Sequence, residues 1–113
     1  MSINISDRDN LPVKYKAVNI SSSGANALIA AVTGKKIRVL ALQAQSITAV
    51  SFNLESATTD ISGVMALGAA GIGGVTLPMS FPYGWCETAE GVALNGTLSS
   101  GVAVGVTIVY IEV

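Results

Sequence analysis

Few residues of this chain have the types and spacing that chemistry needs. Histidine is absent from the sequence, which removes the usual general base near neutral pH, the usual partner of a nucleophilic Ser or Cys, and the commonest zinc ligand. The one cysteine, Cys86, adjoins Trp85 and reads as a small buried strand residue rather than a nucleophile. Glu87 and Glu90 flank a turn, whereas a glycosidase needs two carboxylates converging across a cleft. Glu55 and Asp60 bracket a Ser/Thr-rich loop, but a single carboxylate at each end without regular ligand spacing is a poor calcium site. The expectation is a chain that is not an enzyme, with no catalytic residue, metal or cofactor.

Two clusters bear on binding instead. Lys35, Lys36 and Arg38 are the only basic cluster, read first as a solvated turn and second as contact with an acidic partner surface. Nucleic-acid binding calls for more positive charge with aromatic platforms beside it, so no such partner is expected. Phe81, Tyr83 and Trp85 recur at a spacing of two, which suggests one face of a strand: core packing first, a sugar platform second. The loop from Gly68 to Gly74 resembles a phosphate cradle only superficially. A P-loop needs Lys-Ser/Thr and then a helix, and Val75-Thr76-Leu77-Pro78 follows here. Tight turns or close backbone approach, near an oligomer axis, suit those glycines better.

The elements that must position these residues are strands. The 113 residues suit one domain with its own core, and a lone cysteine fits a reducing compartment. The N-terminus lacks the apolar core of a secretory signal. The uncharged stretches Ile61–Cys86 and Gly91–Ile111 are too broken by Gly, Pro, Ser and Asn to cross a bilayer as helices. A soluble protein without a membrane partner is expected.

Residues 1–12 are polar and irregular and close at Pro12, suggesting a flexible arm that frays or orders on a neighbour. Asp7, Arg8 and Asp9 are its candidate contacts. From Val13 the chain alternates short β-branched runs with turn chemistry. Strands are expected over Val13–Ile20, Ile37–Gln45, Ile47–Leu54, Ile61–Leu67, Val92–Leu98 and Val102–Val113, with Ala27–Val32 a strand or a buried helical turn and the glycine-rich loop leading to Val75-Thr76-Leu77-Pro78. In the last strand Val104, Val106, Ile108 and Tyr110 share one face. About eight strands at short spacing, without an amphipathic helix, predict an all-β fold: one antiparallel β-sandwich or jelly roll over residues 13–113.

Charge is scarce, with 12% of residues charged and 50% hydrophobic, against about a quarter charged in ordinary soluble domains. A small domain exposes much of its surface. A surface so poor in charge is expected to be partly buried against neighbouring subunits.

Several stretches, in order, resemble a family of small bacteriophage virion proteins. They are Gly34-Lys35-Lys36-Ile37-Arg38-Val39-Leu40, Leu77-Pro78, Gly84-Trp85-Cys86-Glu87-Thr88, Gly91-Val92-Ala93-Leu94 and the ending Gly105-Val106-Thr107-Ile108-Val109-Tyr110-Ile111-Glu112-Val113. The resemblance spans most of the chain from Val13. It implies a capsid decoration, or cement, protein: a homotrimer on a β-sandwich or jelly-roll core, made in the host bacterial cytoplasm. Its partner would be the phage major capsid protein on the outside of the virion, with Asp7, Arg8, Asp9, Lys35, Lys36, Arg38, Phe81, Tyr83 and Trp85 as candidate capsid or subunit contacts. The alternatives are a head-fibre, tail or baseplate component, or a small glycan-binding module using Phe81, Tyr83 and Trp85.

Overall fold

The computed structural model describes residues 12–68 and 74–113. The expected arm, with Asp7, Arg8 and Asp9, lies outside the described residues up to Leu11, as does most of the Gly68–Gly74 loop. Ten strands are formed among the described residues: β1 Lys14–Ile20, β2 Gly24–Ile29, β3 Ile37–Gln45, β4 Val50–Ser56, β5 Thr59–Asp60, β6 Met65–Leu67, β7 Gly74–Leu77, β8 Cys86–Glu87, β9 Leu94–Leu98 and β10 Val104–Glu112. They build two five-stranded sheets, one ordered β1-β10-β3-β7 with β8 also on β3, the other β2-β9-β4-β5 with β6 also on β4. Every pairing is antiparallel. The fold is the all-β antiparallel sandwich that the alternating sequence predicts.

Alternation decides which side chains meet between the sheets. Val104, Val106 and Ile108 of β10 are buried while Gly105 and Thr107 between them are exposed, as a strand covered on one face requires. Leu42 and Ala44 of β3, Phe52 and Leu54 of β4, and Leu94 and Leu98 of β9 complete the centre of the core. Each large apolar side chain so buried stabilises the fold by roughly 1.5–3 kcal/mol. A register shift at Val109/Tyr110 leaves Leu40 of β3 without a cross-strand partner on β10. Leu40 and Ile111 are both fully buried yet stand outside the inter-sheet cluster. Apolar residues on both faces of β3 therefore mark a central strand, as expected.

Two local departures from the expected strands have side-chain causes. The strand expected from Ile47 starts instead at Val50. Ser46 Oγ accepts from the Thr48 N–H at 3.1 Å and donates to the Thr48 carbonyl at 2.7 Å, closing a hydroxyl-backbone turn in place of a ladder. Ile47 rides at the tip of that turn and is 100% exposed.

The second departure is the aromatic segment. Phe81, Tyr83 and Trp85 do not share a strand face: residues 81–83 form a turn, with a cis Phe81–Pro82 peptide. Pro78 and Pro82 have no N–H to give a ladder, which keeps the segment out of the sheet. Gly84 supplies the left-handed conformation that returns the chain, at φ +73°. The return is anchored on β3 through Ser80 N–H to Leu40 O at 2.9 Å and Trp85 N–H to Val39 O at 2.8 Å.

Candidate assembly surface

The topology sorts the side chains along the strand axis. β1, β3 and β10 carry their charges at one end: Lys14 pairs with Tyr110, Arg38 with Ile111, and Glu112 with Ile37. Lys35 and Lys36 precede β3 at that end, Glu87 lies opposite Arg38, and Glu90 occupies the following turn. In the other sheet Glu55 and Asp60 pair beside the Ser56–Leu94 row, again at the same end. Lys16, opposite Ile108 at the middle of β10, is the charge furthest from it.

Beyond Lys16 the described sandwich carries no charge. Among the described residues the connecting turns there are Ser21-Ser22-Ser23, Ser46-Ile47-Thr48-Ala49 and Ser99-Ser100-Gly101-Val102-Ala103, and β6 ends and β7 begins at the same end. The turns lie side by side: a Cβ on Gly101 would stand 3.3 Å from Ser21 O, and Ser46, Ile47 and Ala103 line one trough. The outer face of the first sheet continues the same surface, with Ala17 beside Thr107 and Gln43 in one row and Asn19 beside Gly105 and Gln45 in the next. The outer face of the second sheet differs. There Thr97 Oγ1 donates to Glu55, and Asn53 Nδ2 donates to Asp60 Oδ1 at 2.9 Å.

Among the described residues, the candidate side chains singled out from the sequence fall at the charged end or on the anchored turn. Arg38 Nε donates to Glu87 Oε1 at 2.9 Å and Arg38 Nη1 to Pro82 O at 2.8 Å, while Lys36 Nζ stands 3.5 Å from Glu87 Oε2. The hydrogen bond from Arg38 holds the Glu87 carboxyl below its ordinary range, with the charges of Arg38 and Lys36 adding to the effect. Arg38 and Lys36 thus clamp β8 and the aromatic turn to β3, and Lys35 is exposed beside them.

Tyr83 is 83% and Trp85 49% exposed, so neither is a core aromatic; Phe81 is half-buried. Trp85 Nε1 donates to Pro78 O at 2.7 Å. The indole also walls an apolar cleft of about 330 Å³ between the sheets, with Leu54, Ile61, Val64, Met65 and Leu77. Cys86 lines the same cleft, where burial, and then the neighbouring Glu87 charge, push its thiol up to about 11. A thiol so held is protonated at neutral pH and a weak nucleophile. Among the described residues no group of three His, Cys, Asp or Glu is placed to hold a metal ion, and no helix is long and apolar enough to cross a membrane.

Sequence reasoning missed Ile47, Gly105 and the uncharged end itself. The signal was present, since every connection at that end lacks charge, but it becomes visible only once the strand order brings those turns together. No family model matches this chain, and no curated protein matches it.

Proposed function

We propose that this protein is a non-enzymatic assembly subunit, a bacteriophage capsid decoration protein that acts as an oligomer on the outside of the head. The observation that carries the assembly reading is the uncharged half of the sandwich, ending in a wholly exposed isoleucine. A free monomer gains solubility from charge spread over its surface, whereas a buried contact is favoured where no ion must be desolvated. The phage assignment rests on the resemblance of the sequence to virion proteins. The interleaved strand order, β1-β10-β3-β7 over β2-β9-β4-β5, is consistent with the jelly-roll core that resemblance implies. A decoration protein adds interface free energy across capsid seams without chemistry. Several equivalent contacts per oligomer let each one be weak, through effective concentration.

The half-exposed Trp85 and exposed Tyr83 favour one second reading, a glycan-binding module on the anchored turn. The test between them is binding of the purified protein to undecorated heads of its phage, with titration by glycans in parallel. Saturation at hundreds of copies per head supports decoration. Failure to bind heads, together with glycan-dependent quenching of Trp85, supports the second reading.

A further inference from the structure

Gly105 interrupts the central strand β10 where the fold does not require glycine. Its φ lies outside the left-handed region, and a Cβ built on it would meet only Asn19 Oδ1, at an ordinary 3.6 Å. Gly96 in β9 is the contrast, because a Cβ there would press Phe52 Cε1 at 2.7 Å. Packing therefore explains Gly96 and leaves Gly105 unexplained, although glycine weakens a strand interior. No register shift falls at Gly105 in either pairing, so no bulge accounts for it, and close approach of another backbone is a further use of a strand glycine.

What it leaves open is a furrow. β1 and β3 flank β10, so the side chains of Asn19 and Gln45 stand on either side of the bare Gly105 backbone. The walls are two inter-strand spacings apart, roughly 9–10 Å. The furrow widens toward the uncharged end into a trough of about 470 Å³ lined by Asn19, Gln45, Ile47, Ala103 and Gly105. Ile47, 100% exposed, stands on its rim.

We infer that copies of this chain associate through the uncharged end, the Ile47 side chain of one seated in the Gly105 furrow of its neighbour. The inference rests on the self-assembly part of the reading above and names the surface that performs it. Each chain carries both a knob and a seat, so a head-to-tail contact that closes into a ring leaves none of them unpartnered. Neither bears a charge, so burying them desolvates no ion. The stems of Asn19 and Gln45 flank the incoming side chain, and their amides face the backbone of the incoming 46–49 turn.

Sedimentation of the full chain tests this with Ile47→Asp and Gly105→Val, beside Val64→Asp at the rim of the Trp85 cleft. Ile47 lies in an exposed turn and Gly105 has room for a side chain, so both variants keep the fold, which circular dichroism checks. The expected result is loss of the oligomer in Ile47→Asp and Gly105→Val and its retention in Val64→Asp. In a Cys86→Ala background, Ile47→Cys chains mixed with Gly105→Cys chains should form an intermolecular disulfide. An oligomer that persists in both uncharged-end variants, without that disulfide, overturns the inference and leaves the assembly reading standing. Dissociation by Val64→Asp alone moves the contact to the cleft and also overturns it. A wild-type chain that is monomeric defeats the assembly reading itself.

Discussion

Arg38 and Glu87 stand opposite each other on β3 and β8, with Arg38 Nε 2.9 Å from Glu87 Oε1. The same guanidinium holds the Pro82 carbonyl, so one side chain fixes both the short strand and the turn before it. Replacing Arg38 with Met should destabilise the fold by about 1–2 kcal/mol, since the pair is part-exposed and screened. Calorimetry should show the loss as a melting point lower by a few degrees. The pair also sets an acid limb. The Glu87 carboxyl titrates lower in the folded than in the unfolded chain, so the unfolded chain binds the proton first. Its contribution is complete above the ordinary carboxylate range and is lost as pH falls through the lowered folded value. Glu87→Gln should be less stable at neutral pH and show a shallower acid decline.

The two strand-interior glycines should respond oppositely to alanine. Gly96→Ala drives a methyl against Phe52 Cε1 and, at 3.1 Å, Leu28 Cδ1, an overpacking that costs about 1–3 kcal/mol. Gly105→Ala meets no such contact and should gain about 0.5–1 kcal/mol from a stiffer unfolded chain. Denaturant midpoints of the two variants against wild type decide it.

The Cys86 thiol sets an alkaline limb. Its folded value of about 11 exceeds the ordinary thiol range, so the unfolded chain gives up the proton first as pH rises. Stability is complete below the ordinary range and is lost progressively as pH climbs toward about 11. Cys86→Ala should remove this component of the alkaline decline. At neutral pH, Cys86 in the folded protein should react with a disulfide reagent far more slowly than in denaturant.

Trp85 reports on the glycan reading. Its Nε1–H is bonded to Pro78 O and its face is part-exposed, so acrylamide should quench it to an intermediate degree. Under the decoration reading, glycans leave its emission unchanged. Trp85→Phe gives up the bond to Pro78 and should cost about 1 kcal/mol without affecting head binding.

The sandwich was legible because alternation in Val102–Val113 is a direct imprint of a sheet covered on one face, while apolar residues on both faces of Ile37–Gln45 mark a central strand. The faces of β10 were legible as far as Ile108. The register shift at Val109/Tyr110 and the burial of Ile111 were not, because a bulge leaves no mark in alternation. The Phe81-Tyr83-Trp85 spacing suggested a strand face, although the prolines beside it already argued against a ladder. Ile47 suggested the first residue of a strand, since apolarity is visible in sequence and the Ser46–Thr48 side-chain bond is not. Gly105 suggested only part of a turn-poor strand. That it lacks any packing reason to be glycine emerges from the space around it.

The most direct test of the account is the mass of the purified chain in solution by light scattering, with binding to undecorated heads of its phage measured on the same sample. The account predicts a stable oligomer, three times the chain mass under the decoration reading, that binds in hundreds of copies. A monomer at every concentration, indifferent to heads, would contradict it and leave the uncharged end without the neighbour that explains it.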